Sequence, residues 1–461
     1  MDPQLKKISS RYHVFENWAH TFICEPELYF TPETEDEVEK IVIFAKAKNK
    51  SIKVIGAGHS PSDLACTKDF MINLDNLNRV LEINREEKTV SVQAGISLNQ
   101  LNQELWKNGL AMSNIGSISD QSLAGAISTA THGTGINFGN ISTQVTELTL
   151  ITATRGTLTC SEKTNPDIFK AALCNLGALG IIIRITLKCE PAFRLEAIQT
   201  PAKFDEILNN LDHVVHSAEH VRFWWFPHTD DCVLWKANRT IKEPNSSTIG
   251  YIRETLLGYH LYQFLLYLTR LRPSTIPRLA RHMFKIKYST PTCIIDDSYK
   301  VFNIDCLFPQ YVNEWAIPWE KTPEALRKIN QWTKETNSFV HFPVEVRFVD
   351  KDDIWLSPSY GCKVCYIGII MYRPYRVAVP YKEYWKAYEQ IMRSLGGRPH
   401  WAKAHTMSVL ELEKCYPKFN DFKKLMHELD PNGMFLNAYL RRHILGEVGE
   451  DVDTRLFKAK L

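Results

Sequence analysis

His59 stands inside VIGAGHSPSD at 54 to 63, where a short apolar run gives way to glycine, histidine and serine. Its imidazole can act as nucleophile, base or ligand near neutral pH; a polar turn residue beside a helix cap is the equally weighted alternative. Gly56 and Gly58 permit angles and close approaches that a side chain forbids, so the loop suits being shaped around a ligand. A second stretch, NIGSISDQSLAGAISTATHGTG at 114 to 135, is almost wholly small or hydroxylated. Such residues let backbone N–H groups and hydroxyls line up around phosphates or a planar ring, although tight packing through Gly125, Ala126 and Ala130 fits the same composition. In FPVEVRF at 342 to 348, alternation puts Glu345 and Arg347 on one face and Val344, Val346 and Phe348 on the other. An acid and a guanidinium on one side can orient a polyhydroxylated substrate and stabilise developing negative charge. An ion pair on a solvated strand face is the competing reading. HWAKAH at 400 to 405 adds His400, Lys403 and His405 without a spacing that identifies a metal.

These residues need elements to hold them. Pro32 and Thr34 introduce a helix with Glu35, Asp36 and Glu37 in its first turn and Val38, Ile41, Val42 and Ala45 on one face. It feeds the strand SIKVI and then the His59 loop. The glycine pattern does not open a helix in the dinucleotide-fold manner, which weakens a Rossmann reading. MINL, VLEI and TVSVQ between 71 and 93 read as short strands of one compact α+β unit. Leu98, Leu101 and Leu105 line a further helix. Strands are expected at 145 to 153 and 180 to 188, with a helix at 166 to 173 between them and NLGALG at 175 to 180 just before the second. Small-residue character ends near Pro191, taken as a domain boundary. Beyond it, Trp224 and Trp225 must face opposite ways if they lie on a strand, so one can line a cleft.

At 461 residues and 44% hydrophobic composition, two or three domains are expected, enough to bury a large cofactor. A formal charge of +3 argues against a nucleic-acid partner. Eleven irregularly spaced cysteines and an N-terminus, MDPQLKKISS, without an apolar core favour a reducing compartment. Cys362 and Cys365 lack a matching pair and read as packed thiols rather than zinc ligands. The segment at 256 to 271, rich in Leu and Tyr, is followed by Arg272, Arg278 and Arg281. It is short and polar against the roughly 20 apolar residues of a span, leaving a buried helix or peripheral membrane attachment.

Together, GAGHSPSD at 56 to 63, SLAGAISTATHGTG at 122 to 135, EHVRFWWFPHTD at 219 to 230, FPVEVRF, HWAKAH and DPNGMFLNAYLRR at 430 to 442 resemble the sugar-1,4-lactone oxidases, within the vanillyl-alcohol-oxidase-like FAD flavoproteins. The resemblance covers nearly the whole chain. It implies an α+β fold: a two-subdomain FAD-binding domain at 15 to 190, a substrate-binding cap at 191 to 425, and a C-terminal segment at 426 to 461 returning to the FAD side. It implies FAD held covalently through His59 and enclosed by Ile55, Gly56, Ala57, Gly58, Ser60, Ser117, Ser122, Gly125, Thr129, His132, Gly133, Thr134, Gly180 and Ile182. No metal is expected. The implied chemistry is hydride transfer from C2 of an aldono-1,4-lactone to flavin, with O2 as acceptor and H2O2 and an ascorbate-type enediol as products. Arg347 would stabilise anionic character, Glu345 would orient Arg347 and substrate hydroxyls, and Lys403 would hold an oxygen or the flavin edge. Gly116 would leave O2 an open approach. The competing readings are a dehydrogenase of the same fold using cytochrome c or a quinone, and a noncatalytic flavin-binding protein. An intracellular location is expected, with association to the mitochondrial outer membrane or the endoplasmic-reticulum membrane as an option, and the cap's length and HWAKAH lean toward the family's fungal members.

Overall fold

Thr34 accepts a hydrogen bond from the N–H of Glu37, whose carboxylate returns to the N–H of Thr34, so the helix Glu35–Lys48 starts where cap and charge predict. The computed structural model describes residues 2–245, 260–303 and 308–447. The buried face of this helix, Val38, Ile41, Val42 and Ala45, shares a core with Phe30 and Phe70. Those aromatics belong to a four-stranded sheet in the order Ser9–Ser10, Leu28–Phe30, Phe70–Asn73 and Ile52–Ile55, whose last three strands run parallel. The His59 loop leaves the end of Ile52–Ile55.

The residues 71 to 93, expected to form one unit, divide between two sheets. Phe70–Asn73 pairs within the first, while Val80–Asn84 and Thr89–Gln93 join a five-stranded antiparallel sheet with Ile181–Lys188, Val145–Ile151 and Thr157–Ser161. Alternation identifies a strand but not its partner.

An eight-stranded antiparallel sheet follows, in the order Thr292–Asp297, Arg194–Lys203, Asp231–Thr240, His220–Trp225, Val344–Val349, Val364–Tyr372, Gln310–Pro318 and Arg398–Pro399. Its register aligns two cross-strand rows: Trp235, Arg222, Arg347, Tyr366, Ala316, and Val233, Trp224, Glu345, Gly368, Glu314. Trp225 is fully buried and Trp224 only partly, as opposite-facing neighbours require.

Two seams fix the site. The N–H of Gly135 donates to the Phe348 carbonyl at 2.7 Å, while the Thr134 hydroxyl donates to the Val221 carbonyl and accepts from the N–H of Phe348. At the other end, Asn437 Nδ2 donates to the carbonyls of Leu64 and Cys66. Arg442 Nη2 meets both oxygens of Asp63 at 2.9 Å, pinning the segment just after His59. Of the stretch 256 to 271, residues 256 to 259 lie outside the described residues. The rest contains the helix Tyr262–Thr269, and among the described residues no helix is long and apolar enough to cross a membrane.

Candidate active site

Two polar regions meet around the loop that carries residues 113 to 122. The first is a cavity between the four-stranded and five-stranded sheets. Ile55, Gly56, Ala57, Gly58, His59, Ser60, Ser122, Gly125, Thr129, Gly180 and Ile182 line it, as does Lys53, to which no sequence motif pointed. Glycine is required at two of these positions. A Cβ on Gly56 would lie 1.8 Å from Ser122 Oγ, and Gly180, at φ +140°, would press one to 2.4 Å from the Ile151 carbonyl.

His59 packs against Trp18 with ring centroids 5.7 Å apart, and its buried Nδ1 has no hydrogen-bond partner among the described residues. Burial lowers its pKa, with Lys403 adding to the effect and Asp120 opposing it. The neutral imidazole therefore keeps a nucleophilic lone pair. Lys53 is 3% exposed and donates to the Leu176 carbonyl at 2.7 Å. Among the described residues it has no carboxylate at ion-pair distance, and burial pushes its pKa down to about 7, opposed by Asp63. An anionic group in the cavity would complement it. The unsatisfied Nδ1, the glycine cradle and the buried amine all fit FAD.

The second region lies on the central sheet. Arg347 Nη2 donates to Glu314 Oε1 at 2.8 Å, and Glu345 Oε2 lies 3.5 Å from the same nitrogen. Arg347 Nη1 and Arg222 Nη1 both reach Ser117 Oγ, at 3.5 and 3.3 Å. Lys403 Nζ is 3.9 Å from Glu314 Oε2. His132 Nδ1 contacts the Gly133 carbonyl at 3.0 Å, its Nε2 sits 3.4 Å from Glu314 Oε1, and its ring stacks on Tyr366. Burial pushes the Glu314 carboxyl upward; Arg347, His132 and Lys403 more than reverse this and hold it well below the usual carboxylate range. Burial brings the Arg222 guanidinium down to about 10, with Glu345 opposing and Arg347 reinforcing the shift. Arg222 is enclosed by the rings of Trp235 and Trp224, at 4.2 and 4.9 Å.

This arrangement redistributes the expected residues. Glu345, Arg347 and Lys403 come together. Ser117 joins their cluster rather than the cavity wall, and His132, Gly133 and Thr134 also lie off that wall. A Cβ on Gly133 would fall 2.2 Å from Asn114 Oδ1, so this glycine serves close packing, and Thr134 belongs to the seam. The small-residue stretch thus has two jobs, cavity wall and interdomain joint. A Cβ on Gly116 would lie 3.1 Å from Thr131 Cγ2 and 3.4 Å from the His132 carbonyl, so an added methyl points at protein and could act on an oxygen path only by shifting its loop. His405 packs instead against His443, with ring centroids 4.2 Å apart. Ligand atoms of His132, Glu314 and His400 lie within 4.8 Å of one another. The Glu314 oxygen facing His132 is already bonded to Arg347, and His400 Nδ1 accepts from the N–H of Ala402. Glu314 and Arg222 escaped the sequence reading. Arg222 left a trace inside HVRFWW; Glu314 left none.

The family model described as D-arabinono-1,4-lactone oxidase matches residues 185–443, and that of an FAD binding domain matches 26–161. An L-gulonolactone oxidase of Scyliorhinus torazame is 47% identical over 93% of this chain and 97% of its own length. A D-arabinono-1,4-lactone oxidase of Yarrowia lipolytica is 33% identical over the same shares. The lean toward fungal members thus runs against the higher identity of the animal enzyme. The crystal structure of cholesterol oxidase from B. sterolicum superposes with a TM-score of 0.83 over 96% of this chain and 99% of that one, at 17% identity, a likeness of fold.

Proposed function

This chain belongs to the sugar-1,4-lactone oxidase family of FAD-dependent flavoproteins, and from that premise we propose that it oxidises an aldono-1,4-lactone at C2, with O2 as acceptor and H2O2 as the second product. The observation that carries the reading is the 113 to 122 loop, which places Gln121 and Ser122 in the cavity wall and Ser117 against two arginines. When bound, FAD supplies the two-electron acceptor and returns those electrons to O2. The chain supplies the rest. Lys53 and the glycine loop would hold the cofactor's anionic portion, and His59 would tether it through a ring nitrogen. Arg347 and Lys403 stabilise the negative charge that develops on the C2 oxygen as its hydroxyl proton passes to solvent, while Glu345 accepts a hydrogen bond from a lactone hydroxyl.

Oxygen uptake with stoichiometric H2O2 on L-gulono-, L-galactono- and D-arabinono-1,4-lactone tests the activity and ranks the substrates. Turnover with cytochrome c or a quinone but not O2 would point to the dehydrogenase reading, and a flavin unbleached by every lactone to a noncatalytic one. Flavin released on acid precipitation would remove the tether.

Peripheral attachment to an anionic membrane is proposed on separate grounds. Phe264, Leu268 and Leu271 are exposed at 48%, 42% and 87%, and Arg270 and Arg272 flank Leu271. Co-sedimentation with vesicles containing phosphatidylserine is the corresponding measurement; protein remaining in the supernatant would reject attachment.

A further inference from the structure

We propose that Glu314 is the positioning residue for Arg347, leaving Glu345 to meet the substrate. Sequence alone favours Glu345 as the partner of Arg347, because the two share a strand face. The distances favour the other acid: Arg347 Nη2 is hydrogen-bonded to Glu314 Oε1 at 2.8 Å and stands 3.5 Å from Glu345 Oε2. Register explains how Glu314 reaches across. Glu345 and Glu314 flank Gly368 in one row, and a Cβ on Gly368 would lie 3.8 Å from Glu314 Oε1. The glycine leaves the surface between the two acids without a side chain, and the Glu314 carboxylate reaches Arg347 in the neighbouring row.

The acids also differ in what they have left to bind. Glu314 is almost wholly enclosed, with its side chain 5% exposed, and Arg347, His132 and Lys403 approach its two oxygens. Among the described residues, Glu345 Oε1 is buried and has no hydrogen-bond partner. A buried carboxylate oxygen needs a donor, and a lactone hydroxyl in the cleft is a donor of the right kind. The carboxylates therefore divide the work: one fixes the direction of the guanidinium, and the other accepts from the substrate. Arg222, on the far side, reaches Ser117 together with Arg347 and limits the guanidinium from swinging that way.

This inference rests on Arg347 acting on the reacting lactone, so its test separates the two claims. Anaerobic flavin reduction by saturating lactone is followed in the holoenzyme and in Glu314→Gln, Arg347→Ala and the double variant. Glu314→Gln should slow reduction by roughly a hundredfold, the penalty of a misplaced catalytic group, yet slow it no further once Arg347 is absent. Added guanidinium should restore part of the rate to Arg347→Ala but not to the double variant, because the Glu314 carboxylate is its seat. Glu345→Gln should instead raise the lactone concentration needed for half-maximal reduction. Unchanged reduction in Arg347→Ala would remove the role of the arginine. A slow Arg347→Ala whose defect multiplies with that of Glu314→Gln, or equal guanidinium rescue in both backgrounds, would overturn the role of Glu314 alone. If Glu314→Gln does not retain flavin, Glu314→Asp enters the same cycle, where multiplicative losses would again reject the assignment.

Discussion

Lys53 shows how one buried charge reports on a ligand. With its pKa near 7, the amine is largely charged below that pH and loses its proton above it. An anion beside the amine favours the ammonium and raises its pKa, so binding takes up a proton. Affinity is therefore flat below pH 7 and falls as pH rises, until the pKa of the bound state is passed. In full-length His59→Ala protein freed of flavin, the FAD dissociation constant should rise about tenfold per pH unit above 7 for this one-proton linkage, and Lys53→Met should abolish the slope. A flat profile with lysine present would show that the amine does not meet the anion. Gly116→Ala gives a second residue-scale expectation: crowding by Thr131 and the His132 carbonyl shifts the loop and slows flavin reoxidation by O2 several-fold more than reduction by lactone. Equal slowing of both half-reactions in stopped-flow would reject an oxygen-specific role. His59 was legible because a histidine amid glycines in a polar turn is conspicuous. Lys53 was not, because a lysine in IKVI carries no sign of which side of its strand faces a cavity.

At the scale of elements, the returning C-terminal segment acts as a strap over the loop after His59. Asn437→Ala would leave the Leu64 and Cys66 carbonyls, both accepting from Nδ2, without that donor. The expected loss is about 1–3 kcal/mol, read as a lower midpoint in urea unfolding together with less covalent flavin. Lower stability with full flavin incorporation would separate the strap from the tether. Helix and strand positions followed closely from caps and alternation: Glu35–Lys48 begins behind the Thr34 box, and the strand Val344–Val349 buries alternate residues from Val344 to Phe348. Pairing did not. The strands between 71 and 93 went to different sheets because their hydrophobic pattern fits either.

The whole molecule brings together residues that no local pattern connects. Arg347 reaches Glu314 across 33 positions of sequence and Ser117 across 230, each contact depending on the register of the large sheet and on the seam at Thr134. The exposed face of Tyr262–Thr269 belongs to this scale too. Replacing Leu268 and Leu271 with serine should reduce co-sedimentation with anionic vesicles by well over tenfold, since about two buried methylenes at some 0.8 kcal/mol each already correspond to a factor of ten, and leave lactone oxidation in solution unchanged. Retained binding would place attachment elsewhere. The sequence by itself determined the α+β class, the glycine-lined loop around His59 and the shared face of Glu345 and Arg347, because caps, glycines and a period of two act over a few residues. Only the tertiary structure decided that Glu314 anchors Arg347 and that His132, Gly133 and Thr134 lie at a joint rather than along the cavity wall. Those outcomes follow from cross-strand register and interdomain packing, and local periodicity fixes neither.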